Sequence, residues 1–282
     1  MLPSHLKKRI PKNGNIVRLR NLLSDSSLNT VCESLKCPNI GECFSLNTLT
    51  FMIMGNICTR SCAFCGCDKG APGPLDPNEP QKIANAVLKL DLDYVVVTSV
   101  TRDDLPDGGA GHFADVIRIL RQRIQVEVLI PDFKGDKSSI DKIIAEKPQV
   151  INHNIETVPR LYPSVRPQAD YKRSLELLSY IKGKEPSIYT KSGFMVGLGE
   201  TDDEVLASLR DLKSVGCDIV TIGQYLPPSS KHQKVDRYVD PEKFAWYERV
   251  GCRMGFYKIF SGPFVRSSYK AGEILWKKHS GS

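Results

Sequence analysis

An α/β fold built on a parallel sheet is predicted by two features of the chain. From residue 49 onward, short apolar or β-branched runs alternate with amphipathic helical stretches, and several of those stretches open on helix-capping signals. Strands are expected at 49–54, 94–98, 126–130, 150–153, 188–196 and 218–222, each followed by a loop. The first helix is expected to start at a capping box, Asp76-Pro-Asn-Glu79, with Pro77 in its first position and Ile83, Val87 and Leu90 facing the core. Phe113, Val116, Ile117 and Leu120, spaced i, i+3, i+4 and i+7, mark the second. Further helices are expected at 140–146, 174–181 and, after the box Thr201-Asp-Asp-Glu204, at 205–215. Strands alternating with helices imply right-handed βαβ units, and six such units fall short of the eight that close a barrel.

Two extensions flank this 49–223 body. Residues 1–48 begin with a basic, polar arm of about thirty residues, expected to wrap the surface without forming a core element, and end in a short irregular segment. Residues 224–282 carry a helix opened by Asp240-Pro241 and a glycine-rich end, with no clear further strand–helix unit; they are expected to cover part of the barrel mouth. At 282 residues the chain can bury one large core. No apolar run approaches the roughly 20 residues that span a bilayer, so a soluble protein with no membrane association is expected. Six of the nine cysteines crowd into residues 32–65, which suits reduced thiols in the cytoplasm better than a disulfide framework. The first 20 residues are basic enough for an organellar presequence, but Pro3 and Pro11 interrupt any amphipathic helix there. A net charge of +7 fits solubility or an acidic protein partner, and no nucleic-acid-binding motif accompanies it.

The chemistry concentrates in residues 56–65, where Cys58, Cys62 and Cys65 stand in a C-x3-C-x2-C spacing. Three thiolates on one loop can hold three corners of a cubic iron–sulfur cluster and leave one iron open, whereas a ferredoxin cluster or a structural zinc site takes four ligands. A zinc loop or unrelated buried thiols are the alternatives. Upstream, Cys32, Cys37 and Cys43 form C-x4-C-x5-C, a weak signal alone and a second cluster site beside the first. Barrel enzymes keep working residues just past each strand. Those positions offer Thr98 and Ser99, then Asn154 and Glu156, whose amide and carboxylate suit ribose hydroxyls. Strand alternation sets His153 opposite its neighbours as a packed histidine. Arg166 is either a cation for a carboxylate or half of a surface ion pair. Cys217 and Cys252 lie on apolar stretches and read as small buried residues.

The cysteine loop, with Phe64 just before its last thiol, resembles the signature of the radical S-adenosylmethionine enzymes. The upstream triplet, Arg266-Ser-Ser-Tyr269, and the phrases Thr101-Arg-Asp-Asp-Leu105, Asn152-His-Asn154, Glu156-Thr-Val-Pro159 and Thr190-Lys-Ser-Gly193 extend the likeness to the lipoyl synthase family, from about Cys32 to Tyr269. The resemblance implies an open, partial (β/α)6 barrel with the cluster loop after the first strand, at the carboxyl rim. It implies two 4Fe-4S clusters, one on Cys58, Cys62 and Cys65 that binds S-adenosylmethionine, the other on Cys32, Cys37, Cys43 and Ser268. Thr98 and Ser99 would meet the cofactor's methionine end and Arg166 its carboxylate, while Gly193 and Gly197, in Gly193-x-Met195-x-Gly197-x-x-Glu200, would let backbone approach the adenine. The implied reaction is radical insertion of two sulfur atoms at C6 and C8 of an octanoyl chain on a carrier-protein lysine, with the second cluster as sulfur donor. The implied partners are that octanoylated carrier, a reduced electron donor such as ferredoxin or flavodoxin, and an iron–sulfur cluster carrier. Cys67 departs from the family pattern, because a fourth thiolate on the open iron would block the cofactor. On the residues alone two rivals stay open: a radical enzyme that thiolates another substrate, and an electron carrier, which would want no open iron.

Overall fold

The computed structural model describes residues 3–7, 23, 28–34, 37, 39–45, 49–269 and 271–274. The main sheet contains β1 (Asn29–Thr30), β2 (Thr50–Ile53), β5 (Tyr94–Ser99), β6 (Gln125–Leu129), β7 (Val150–Asn152), β8 (Tyr189–Val196), β9 (Ile219–Gln224) and β10 (Lys258–Gly262), hydrogen-bonded in that order. β1 pairs antiparallel to β2, and every later pair is parallel. Each new strand is added at the same edge, as in the winding of a (β/α) barrel, but β1 and β10 remain at opposite edges and the barrel is open. A separate two-residue ribbon, β3 (Ile57–Cys58) with β4 (Asp68–Lys69), closes the base of the cysteine loop.

The helices α3 (Glu79–Leu90), α4 (Ala110–Leu120), α5 (Lys137–Ala145), α7 (Tyr171–Lys184), α8 (Asp202–Ser214) and α9 (Pro241–Arg253) cover the sheet; the short α1 (Val31–Ser34), α2 (Ile40–Ser45) and α6 (Tyr162–Val165) lie in connections. The four apolar residues expected on α4 are all buried. Thr201 and Glu204 form the expected reciprocal capping box on α8. The box at Asp76 does not form. The helix begins at Glu79, and the Glu79 carboxylate instead accepts from the Met54 backbone N–H at 2.9 Å and faces His112 Nε2 at 2.6 Å. Burial decides this, because an orphaned N–H at the end of β2 costs more than an uncapped turn open to water.

Other expectations are corrected by packing. The segment past residue 224 supplies a seventh parallel strand, β10, whose signal is hidden because as an edge strand it buries only Ile259 well. Cys37 lies between two short helical turns that carry Cys32 and Cys43, where an irregular segment was expected. Residues 8–22 and 24–27 of the basic arm lie outside the described residues, but Leu23 and Leu28 join the core. Cys217 is buried as expected; Cys252 is exposed, one position off the α9 face that buries Phe244, Tyr247 and Gly251.

Inside the barrel, Lys191 on β8 and Glu127 on β6 are fully buried and pair at 2.8 Å. Tyr94 donates to the other Glu127 oxygen at 2.7 Å, so the carboxylate is saturated. Substituting Lys191→Met should destabilise the protein by about 3–5 kcal/mol in urea unfolding, because it strands a buried carboxylate. The double variant Lys191→Met/Glu127→Gln should recover much of that loss; a double variant as unstable as the single would show that packing, not charge, sets the cost.

Candidate active site

The strand ends converge on one cavity of about 520 Å³ at the carboxyl rim. Both cysteine triplets line it, as do Thr98, Ser99, Asn154, Glu156 and Arg166 from the barrel loops and Ser268 from the C-terminal segment. The chain ends are brought together by two long-range hydrogen bonds. Asn39 Nδ2 donates to Phe264 O at 2.7 Å, and Tyr269 OH donates to Glu42 Oε1 at 3.2 Å. The C-terminal segment crosses the end of β9 at Gly223, where a Cβ would stand 2.1 Å from Val265 O, so only glycine permits the approach.

The cysteine loop is held from several sides. Arg60, buried within it, donates to Asp103 at 2.7 and 3.0 Å and to Asp132 at 2.6 Å; Arg173 adds a contact to Asp132 at 3.2 Å. Burial alone would raise the Asp132 carboxyl, but the hydrogen bonds and charge of Arg60 hold it well below the usual carboxylate range. Phe64 packs on a small apolar cluster that includes Val158, Leu161, Val165 and Tyr225. Ala63 N donates to Val165 O, and Gln233 N and His232 Nε2 reach the Ala63 and Cys65 carbonyls at 3.0 and 3.1 Å. The Cys58 sulfur accepts from the backbone N–H of Thr101 at 3.3 Å and of Arg60 at 3.4 Å, the kind of contact that stabilises a thiolate ligand.

Burial pushes the Cys32 thiol up to about 12 and Cys62 up to about 11, Arg166 pulling against the latter, so metal binding must displace protons from both. Interaction between the neighbouring Cys65 and Cys67 thiols lowers Cys65 and raises Cys67.

The polar residues expected at the cofactor leave buried atoms without partners. Ser99 Oγ, Asn154 Oδ1 and Arg166 Nε have no hydrogen-bond partner among the described residues. The Arg166 Nη1 donates only to the Asn154 and Ile155 carbonyls and the Tyr162 hydroxyl, so the surface ion pair is replaced by a buried cation facing the cavity. Such orphaned donors and acceptors are costly unless a ligand completes them, and they fit a group carrying an amine, a carboxylate and hydroxyls. Glu156, at a left-handed φ of 62°, is raised by burial against the pull of Arg166 and Asn154. Asn154 Nδ2 bridges Glu156 at 3.0 Å and Ser267 at 3.2 Å, joining the two halves of the site.

Thr98 is turned toward Leu129 O at 2.9 Å. Gly193 and Gly197 stand behind the lining. A Cβ on Gly193 would meet Thr221 Oγ1 at 2.4 Å and Asn154 Oδ1 at 3.0 Å, and one on Gly197, at φ 98°, would meet Gln224 Nε2 at 2.2 Å. Arg60, Asp132 and His232 were not singled out from the sequence, and Arg266 was named only as the first residue of the Arg266-Ser-Ser-Tyr269 motif; Arg60 carried a signal, as a charge between cluster cysteines.

An open parallel barrel with three thiols on the loop after its first parallel strand defines a class, the radical S-adenosylmethionine enzymes. The family model described as the Radical SAM superfamily matches residues 52–212. Two solved structures share the fold: SuiB of Streptococcus suis bound to S-adenosylmethionine (TM-score 0.59, 11% identity, 79% of this chain and 53% of that one) and methylornithine synthase (TM-score 0.55, 14% identity, 74% and 62%). The chain is 56% identical over 271 residues to the lipoyl synthase of Caldanaerobacter subterraneus subsp. tengcongensis, covering 95% of each. It is 51% identical over 278 residues to that of Alkaliphilus metalliredigens, covering 98% of this chain and 96% of that one. It belongs to the lipoyl synthase family. Its reaction is therefore radical sulfur insertion into an octanoylated carrier, with 4Fe-4S clusters and S-adenosylmethionine as cofactors.

His153 is packed as expected, buried between Ile130 O at 2.8 Å and Ser174 Oγ at 3.0 Å. Burial, then the charge of Arg166, pushes it down to about 4 from an ordinary 6.5. The neutral form is favoured by the fold, so its stabilising contribution is complete above pH 6.5 and is lost as pH falls toward 4. At about 1.4 kcal/mol per unit this amounts to about 3 kcal/mol. Unfolding free energies measured across that window should fall less steeply for His153→Gln than for the unsubstituted chain; parallel curves would remove His153 as the cause.

Proposed function

We propose that Cys58, Cys62 and Cys65 hold the cluster that binds S-adenosylmethionine, and that Cys32, Cys37, Cys43 and Ser268 hold the auxiliary cluster from which sulfur is taken. One observation carries this reading: a single cavity gathers both triplets and a serine more than two hundred residues from the first of them. When bound, the cofactor and clusters supply a carbon-centred radical able to take hydrogen from unactivated carbons, and the sulfur that replaces it. No acid–base pair is needed for that step, and the chain's task is to bind, orient and exclude water.

Arg166 Nε suits the cofactor carboxylate, Ser99 with Thr98 its methionine end, and Asn154 with Glu156 its ribose hydroxyls. Gly193 keeps Asn154 in place for this, and Gly197 shapes the turn closed by Glu200, which accepts from the Gly197 and Leu198 N–H groups; together they leave room near an adenine. The octanoyl chain is suited to the apolar wall of Met52, Val100, Leu129, Ile130, Met195 and Leu226, each methylene buried there contributing about 0.8 kcal/mol. Ser268 is a hard oxygen ligand among soft thiolates, and the iron it holds is the easiest to release. Residues 1–48 carry the auxiliary thiols, the barrel body begins at 49, and the segment past 224 returns Ser268 to the rim. The charge of +7 supports an acidic carrier domain, and nine free thiols support a reducing compartment such as the cytoplasm. A ferredoxin- or flavodoxin-class reductant and an iron–sulfur cluster carrier complete the set of partners.

Anaerobic reconstitution should load about eight irons, four per cubane. The triple variant Cys58→Ala/Cys62→Ala/Cys65→Ala should keep about half of them and form no 5′-deoxyadenosine; formation of that product would refute the assignment.

Ser268→Cys should still assemble both clusters and cleave the cofactor. Mass analysis of an octanoylated carrier peptide should show lipoyl product reduced about 10- to 100-fold, because a thiolate does not release the iron. Product at the normal rate would rule out release at Ser268.

A further inference from the structure

Among the described residues two arginines line the cavity without a hydrogen-bonded carboxylate, and only Arg166 has been given a role. Arg266 Nη1 donates to Val265 O at 2.7 Å and to Pro263 O at 3.4 Å, and among the described residues Arg266 forms no ion pair. Backbone carbonyls satisfy some of a guanidinium's five donors but none of its charge. The position is also fixed. A Cβ on Gly223 would meet Val265 O at 2.1 Å and Arg266 Nη1 at 3.1 Å, so the end of β9 presses the arginine's backbone onto the rim.

Arg266 is half-buried in the cavity wall with carbonyls as its hydrogen-bond partners, so its charge is left uncompensated among the described residues. The site is completed by an anion. Arg266 lines the cavity with Cys32, Cys37 and Cys43 and lies two residues from Ser268. Among the described residues the Cys37 thiol is the ionisable group that interacts electrostatically with it, whereas Arg166 interacts with Tyr162, Glu156 and Cys62.

We propose that Arg266 is the counter-ion of the auxiliary cluster and holds that cluster's reduction potential up, a proposal that rests on the ligand assignment above. Three thiolates and a serine oxygen give the site a net negative charge, and each added electron increases it. A fixed positive charge nearby stabilises the reduced form more than the oxidised one. Arg266 acts through the cluster and is a positioning residue.

The test is an anaerobic redox titration of the full reconstituted chain, following the spin-resonance signals of both clusters. Addition of S-adenosylmethionine perturbs only the barrel cluster and so separates the two signals. In Arg266→Gln the auxiliary potential should shift negative while the barrel cluster stays in place; in Arg266→Lys, which keeps the charge, it should remain near that of the unsubstituted chain. An Arg266→Gln protein that loses the auxiliary cluster where Arg266→Lys keeps it would show the same dependence on charge. No shift in Arg266→Gln, an equal shift in both variants, an equal shift of both clusters, or loss of the auxiliary cluster from both variants would overturn the proposal. An unsubstituted chain that loads only four irons would instead overturn the ligand assignment.

Discussion

The buried guanidinium of Arg60, clamped by Asp103 and Asp132, is the contact on which the site depends. A loop with three thiols and little regular structure would otherwise sample many shapes, and ordering its backbone costs about 1–2 kcal/mol per residue. Arg60 ties the middle of that loop to the ends of two other strands, β5 and β6, through charge-assisted hydrogen bonds out of water. Phe64 then anchors the far side in an apolar cluster, and the β3–β4 ribbon fixes the base. Three thiols are thereby presented to the cavity.

The winding of the sheet does the rest. Because each parallel strand is added next to its predecessor, all carboxyl ends face one rim, and residues from β5, β7, β8 and β9 meet there despite their separation in sequence. The open edge admits the two extensions. Asn39 and Glu42 from one bond to Phe264 and Tyr269 from the other, so the second triplet and its serine are assembled on the rim of the first. Asn154 spans the boundary, donating both to Glu156 of the barrel and to Ser267 of the C-terminal segment.

The charge arrangement is unusual for a protein interior. Within the barrel, Lys191 and Glu127 neutralise one another completely, and Arg60 is matched by two carboxylates. At the cavity, among the described residues, Arg166 and Arg266 form no direct ion pair with a carboxylate, and Ser99 and Asn154 are left with orphaned atoms. Three buried polar atoms without a partner, Ser99 Oγ, Asn154 Oδ1 and Arg166 Nε, belong to residues that line this cavity, although others, such as Ser208 Oγ and Ser261 Oγ, lie away from it.

The cysteine spacing, the alternation of strands and helices and the Thr201 box were legible because each is a local pattern whose physics does not depend on the rest of the chain. The thiols within each triplet are close in sequence, and helix and strand periods are set by the backbone. The start of α3, the edge strand β10 and the exposure of Cys252 were not legible, since a neighbour's unmet hydrogen bond, a sheet edge and the orientation of a helix face decided them. The same holds for the site. The sequence by itself determined which side chains could carry the chemistry. Only the tertiary structure decided that Thr98 turns toward Leu129 while Ser99 stays unpartnered, that Gly193 and Gly197 stand behind the lining, and that Arg266 is left without an acid. Long-range pairing decides which polar groups are already satisfied, and no local pattern records it.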